Sequence, residues 1–189
     1  MTRYVYRPSV MPASPVMKQT EFIEAGPITI GVEYRLLNAE IARAAFGKRY
    51  VEQHNDSNAP ARHDRGVTLH VYSNESGKRT EHLRFDCFDE DPHYHYIDWK
   101  RTVNELVAIF PSVHGDPLSW ALDHIQTRLA QMLVRANVPE VAERIDRDAL
   151  EAALPVVAEA AYRARFHSDE EQVQRDALEV NSLAIPTKG

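Results

Sequence analysis

The sequence holds a single cysteine, Cys87, among 189 residues. One thiol can form neither an internal disulfide framework nor a CxxC metal site, and it suits a reducing, cytoplasmic setting. Positive charge is also in short supply. Lys and Arg number 22 against 28 Asp and Glu, for a net charge of −6 and a pI near 5.8. Such a chain lacks the broad cationic surface that nucleic acid or anionic lipid requires, so neither partner is expected. No window approaches the roughly 18 consecutive apolar residues of a membrane span. The opening stretch, MTRYVYRPSVMPASPVMKQ, carries prolines at 8, 12 and 15 where a signal peptide has an apolar core. The chain is therefore expected to be intracellular, with no membrane partner. GxGxxG, Walker A, HExxH and GxSxG motifs are missing, as are the signatures of nucleic-acid-binding modules.

What is present is an ordinary share of hydrophobic residues, 43%, enough to bury a core, and an unusual nine histidines. Eight of these fall between positions 54 and 124. Imidazole is the commonest ligand for zinc, copper and iron, so the enrichment points weakly to metal.

The length predicts one domain over 1–189. Within it we expect an extended, proline-punctuated arm over 1–24 and a β-rich core with one short helix over 25–100. A helical region follows over 101–180, then a loose tail over 181–189. Ile28 to Tyr34 alternates with the period of a half-buried strand. Asn38 can cap the helix AEIARAAF, which Gly47 ends. The polar stretch 51–66 predicts a long surface loop. GVTLHVYS and TEHLRFDCF alternate on either side of turn residues and predict a hairpin. Pairing Leu69 with Leu83 and Val67 with Phe85 gathers the apolar residues on one face and sets His70 opposite His82 and Thr68 opposite Arg84 on the other. TVNELVAIF predicts a short helix. Asp116 and Pro117 open a strong one whose stripe is Leu118, Ala121, Leu122, Ile125, Leu129, Met132 and Leu133. PEVAERI and DALEAALPVVAEAAYRARF predict further helix, kinked or restarted at Pro155, and Ser168 with Glu171 forms a capping box for a last, acidic one. The fold class is α+β: an antiparallel sheet of three to five strands, packed on one face by mainly C-terminal helices.

Candidate chemistry clusters around DEDPHYHY, residues 89–96. His93 and His95, two apart on a strand, point the same way about 7 Å apart. The turn before them decides what they meet. A four-residue turn pairs Phe88 with His93 and Asp86 with His95, so one face gathers His70, His82, Asp86, His93 and His95, a ligand set for zinc or non-haem iron. A turn of three or five residues sends the histidines to the face of Leu83, Phe85 and Cys87 instead. With a metal, Asp86, Asp89, Glu90 or Asp91 could complete the shell or act as a base on bound water. Arg84 could pair with Asp86 or help hold an anion. Cys87 reads as a small buried hydrophobe rather than a nucleophile.

The segments HLRFDCFDEDPHYHY and DPLSWALDHIQTRLAQML, within about positions 66–136, resemble a pattern of uncharacterised bacterial domains of unknown function. More distantly, they are similar to small sheet proteins of the toxin–antitoxin type, in which an R-aromatic-D strand precedes a histidine cluster. That likeness puts Arg84, Asp86, His93 and His95 at the matching positions. The net acidity and the long helical C-terminal part depart from a ribonuclease-like toxin. Two functional readings follow. One is a metal site with Asp86, His93, His95 and His70 or His82, supporting hydrolytic or oxidative chemistry in which Asp86 and Arg84 take part. The other is a non-catalytic module whose polar sheet face or acidic tail binds a protein partner or a second copy, with structural histidines and no cofactor.

Overall fold

The structure, a computed structural model, describes residues 5–47, 63–75 and 77–184. Among these residues seven strands form one open antiparallel sheet: β1 (Val5–Tyr6), β2 (Glu21–Ala25), β3 (Ile28–Leu37), β4 (Asp64–Glu75), β5 (Lys78–Phe88), β6 (His93–Asp98) and β7 (Val103–Ala108). Their order across the sheet is β1-β7-β6-β5-β4-β3-β2. The six helices among the described residues are α1 (Ala39–Phe46), α2 (Pro111–His114), α3 (Pro117–Arg135), α4 (Pro139–Ala142), α5 (Arg147–His167) and α6 (Glu170–Ala184). The class is α+β as expected, but the sheet is wider than three to five strands. Three short strands account for the difference. β1 has two residues, and β2 is turned onto β3 through Gly26, at φ +66°. The third, β7, lies where TVNELVAIF predicted a helix. Its six residues alternate, Val103, Glu105 and Val107 against Asn104, Leu106 and Ala108, and hydrogen bonding to β6 selects that period. Residues 51–62 of the expected surface loop lie outside the described residues, and β4 begins at Asp64.

One face of the sheet is apolar because the long strands alternate. Ile28, Ile30 and Val32 on β3, Val67, Leu69 and Val71 on β4, and Leu83, Phe85 and Cys87 on β5 are all buried on it. Helices α3 and α5 cover these residues. α3 is capped by the Asp116 carboxylate, which accepts from Ser119 N, and it buries the expected stripe except Leu122, which is partly exposed. Each fully buried aliphatic side chain of this kind contributes about 1.5–3 kcal/mol. α5 runs through Pro155 without restarting. Pro155 is exposed, as is Glu151, whose carbonyl loses its helical donor there. At α6 the capping residue is Asp169, which accepts from Glu171 N and Gln172 N. Ser168 donates instead to Ala164 O, so the expected capping box is not formed.

The β4–β5 hairpin shows how the second face is made. Only two residues join the strands, and Glu75 pairs with Lys78. Carried along the hairpin, that register would set Val71 against His82 and Leu69 against Arg84, apolar against polar. A bulge prevents it. Tyr72 pairs with Glu81 but Val71 pairs with Leu83, so His82 has no opposite residue and the alternation is restored. The Trp99 indole donates to the Glu81 carbonyl at the bulge, at 2.8 Å. The expected faces are therefore right while the pairs are shifted by two: Leu69 meets Phe85, Thr68 meets Asp86, and His70 meets Arg84 rather than His82.

The bulge also brings Glu81 to the same side as Arg84. On that face a buried chain of charges forms. The His70 ring lies between Glu81 Oε1 at 2.6 Å and Glu33 Oε2 at 3.0 Å, and Arg84 donates through Nε and Nη2 to both Glu81 oxygens. Residues 7–20 lie across this layer as an arm. Arg84 Nη1 donates to Ala13 O, Asn104 Nδ2 to Val10 O, and Val16 N to Glu33 Oε1. The arm comes close because Gly31 has no side chain; a Cβ there would stand 2.9 Å from Thr20 Cγ2.

Burial alone would push the His70 imidazole down, but the Glu81 and Glu33 carboxylates outweigh it and hold it above its ordinary value. Burial would likewise raise Glu81, yet Arg84 and His70 hold it far below the usual carboxylate range. Because His70 is raised by folding, its contribution is complete below about pH 6.5 and is lost as pH rises through the folded value. Glu81 is depressed, so its contribution is present above the carboxylate range and lost as pH falls through its folded value. His70→Gln leaves two buried carboxylates short of a cation. We expect urea unfolding near neutral pH to show a loss of about 3–5 kcal/mol, with the fall in stability on the alkaline side flattened relative to wild type.

Candidate metal centre

Asp86, His93 and His95 come together on the arm-covered face. The turn between β5 and β6 is longer than four residues. Asp86 pairs with His93 and Arg84 with His95, two residues away from the expected pairing of Asp86 with His95. The physical reason lies outside the hairpin. The Asp64 carboxylate accepts from Glu90 N and Asp91 N, and Asp89 N donates to Arg65 O, so the connection folds back toward β4. A shift of two preserves the face, and both histidines stay beside Asp86.

Each side chain is fixed from behind. Asp86 Oδ1 accepts from the Thr68 hydroxyl at 2.6 Å. Asp86 Oδ2 then lies 3.1 Å from His95 Nε2 and 3.4 Å from His93 Nε2. Behind the histidines, His93 Nδ1 donates to Asp91 O and His95 Nδ1 to Asn104 Oδ1, both at 2.7 Å. The Asn104 amide is oriented by its own donation to Val10 O. One ligand atom from each of the three residues falls within 4.8 Å of the others, a group that could hold a metal ion. Outer oxygens that fix the Nδ1–H tautomer and leave Nε2 pointing inward are what metal-binding histidines use.

The protons make the same point. Burial would push Asp86 up, but His93, His95 and Arg35 hold it well below the carboxylate range, so it is ionised. Burial lowers His93, and its contacts with Asp86 and Asp91 more than restore it, leaving it raised. His95 ends lowered: burial dominates, Asp86 opposes it, and the charges on His93 and Arg84 reinforce it. A neutral imidazole has one N–H, and the His95 ring touches two acceptor oxygens, Asn104 Oδ1 and Asp86 Oδ2. With Nδ1–H given to Asn104, the Nε2 lone pair faces a carboxylate lone pair. A cation placed among the three ligand atoms removes that conflict.

The other proposed participants lie apart. His70 uses both nitrogens on Glu33 and Glu81. His82, at the bulge, bonds the Ser73 hydroxyl through Nε2. Arg84 is committed to Glu81 and Ala13 O, which leaves no fork for an outside anion. Asp89 pairs with Arg65 and Arg165. Cys87 is buried on the helix side, where burial pushes its thiol well up. Thr68, on the expected face, and Asn104, hidden in the misread strand, are the supporting residues that sequence reasoning missed. The site is nearly closed: the side chains of Asp86 and His95 are 5% and 7% exposed, and that of His93 14%. A groove of about 910 Å³ lined by Tyr94, Tyr96, Trp120 and Arg128 is on the other side of the sheet.

Among the described residues no helix is long and apolar enough to cross a membrane. No curated protein and no solved structure matches the chain. One family model does match, over residues 22–161, a span that includes all three clustered side chains, Thr68 and Asn104. On that match, the chain belongs to the family described as Domain of unknown function (DUF7700).

Proposed function

We propose that this protein binds one divalent transition-metal ion, zinc or iron(II), through Asp86 Oδ2, His93 Nε2 and His95 Nε2. The observation that carries the reading is the convergence of one ligand atom from each of Asp86, His93 and His95 within 4.8 Å of one another, with the Nδ1 of each imidazole held from behind by an oxygen. Two imidazoles and a carboxylate suit either metal. Three protein ligands leave a position for water or substrate, so the bound ion would supply water activation or, with iron, oxidative chemistry. In this reading Thr68 and Asn104 orient ligands, and Arg84 holds Glu81 and the arm. The partner-binding alternative has less support. The polar sheet face is occupied by the arm, and α6 is joined to the arm by Lys18 with Asp176 and Glu179 and to the start of α1 by Asn38 with Gln174.

Elemental analysis of protein purified without a histidine tag tests the proposal. We expect about one zinc or iron per chain, lost in Asp86→Asn and in the double change His93→Ala, His95→Ala. A stoichiometric metal that survives both changes would place it elsewhere. No uptake by metal-stripped protein from zinc, iron(II) or manganese would end the reading.

Two finer outcomes are expected. Thr68→Val and Asn104→Ala should each weaken zinc binding by about 10–100-fold while the triad stays intact, measured by competition with a chromophoric chelator. Because His93 is raised, zinc must displace its proton near neutral pH. Calorimetry in buffers of different ionisation enthalpy should therefore show proton release on binding, shrinking as pH rises through the His93 value.

A further inference from the structure

We infer that the arm is the gate of this site, and that metal binding closes it through the tautomer of His95 and the amide of Asn104. The inference rests on the metal reading above and adds a regulation to it.

The arm has a fixed root and, between that root and β1, a lightly held stretch. At the root Val16 is buried with Ile41 and Ala177, Thr20 is buried, and Lys18 and Gln19 bind Asp176. Between the root and β1 none of residues 7–15 is buried, while the two residues of β1, 40% and 42% exposed, pair with Val107 and Leu106 of β7. Over 7–15 the hold comes from the exposed Arg7–Glu105 ion pair and from two donations to arm carbonyls, Asn104 to Val10 and Arg84 to Ala13. A segment with no fully buried side chain opens more readily than the root does. The three ligand side chains lie almost wholly covered, and Val10 of this segment is one hydrogen bond from Asn104, which holds His95, so opening of the arm would uncover the site from that side.

Asn104 joins the two events. With a metal on Nε2, His95 must carry its proton on Nδ1, and Asn104 must turn its oxygen to that proton. Its NH2 group then points at Val10 O, and the arm is held. Without a metal nothing ties the His95 proton to Nδ1, and on Nε2 it is given to Asp86 Oδ2, 3.1 Å away. Nδ1 becomes an acceptor, the Asn104 amide turns to donate to it, and the amide oxygen faces the Val10 carbonyl. Two acceptors then oppose each other, and that anchor of the arm is lost. By linkage, whatever factor the metal adds to arm closure, the closed arm adds to metal affinity.

Hydrogen exchange by mass spectrometry on the full chain, metal-stripped and zinc-loaded, tests this. Zinc should slow exchange over residues 7–15 by about fivefold or more, within the usual range of coupling between sites, while residues 16–20 change little. Asn104→Asp keeps an acceptor for His95 Nδ1–H but has no donor for Val10 O. It should still bind zinc, yet leave arm exchange independent of zinc and release zinc faster to a chelator. The wild-type comparison alone decides the matter if that variant does not fold. Zinc bound at the triad, abolished by the His93 and His95 changes, with arm exchange unaltered overturns the gate and leaves the metal site standing. Failure of zinc, iron(II) and manganese to bind at all overturns both.

Discussion

The β-bulge at His82 reconciles two demands that conflict by one residue. A two-residue connection fixes the pairing at the end of the β4–β5 hairpin, and the apolar alternation fixes it in the middle. Without an extra residue, Val67, Leu69 and Val71 would face Asp86, Arg84 and His82, and the helix-covered core could not close. The bulge moves the mismatch to a single position. It also sets the chemistry of the other face, because Glu81 and Arg84, three apart and of opposite parity on a regular strand, come to the same side and form a two-point ion pair. From that pair the charge chain extends to His70 and Glu33, and from the far end of β5 Asp86 reaches His93 and His95.

A buried layer of this kind is expensive to desolvate and gives little net stability against an apolar replacement. Its members instead specify one arrangement, since each charged group has a partner only when the strands sit in this register. The arm completes the layer. Its backbone carbonyls at Val10 and Ala13 and its N–H at Val16 satisfy side chains that would otherwise face water or nothing. The contacts are to the arm's backbone, so they ask of its sequence mainly an extended conformation. Prolines at 8, 12 and 15 favour that conformation and reduce the entropy lost on docking.

The faces of the strands were legible in the sequence; the pairs were not. Alternation in GVTLHVYS and TEHLRFDCF assigns Thr68, His70, Arg84 and Asp86 to one side whatever the register. A shift of two, or a bulge, leaves no trace in the pattern. The β5–β6 turn shows the same limit: its length depends on Asp64, some 25 residues away, accepting two backbone N–H groups. Asn104 was beyond reach for another reason. Nine residues of TVNELVAIF satisfy a helical and a strand period about equally, and only the presence of β6 as a partner decides between them. The helices, whose caps and stripes are local, were read almost to the residue in α1 and α3, and less well at α6, where Ser168 and Asp169 compete to cap.

The case for a metal gains from a comparison within the same face. His70 and His95 are both buried, both on the arm side, and both have two oxygen neighbours. The neighbours of His70 are two carboxylates, so a second proton on the ring is favoured at each nitrogen and the imidazolium satisfies everything around it. His95 faces one carboxylate and one neutral amide, and its Asp86 oxygen is shared with His93. A proton on His93 already serves that oxygen, and the resulting charge 5.0 Å away between ring centres opposes a second on His95. A proton therefore completes the first cluster and leaves the second short by one positive contact. Were the triad only another part of the structural charge layer, His95 would be expected to resemble His70. That difference in what surrounds the two rings is the ground for proposing His95 as a ligand while His70 is read as a strut.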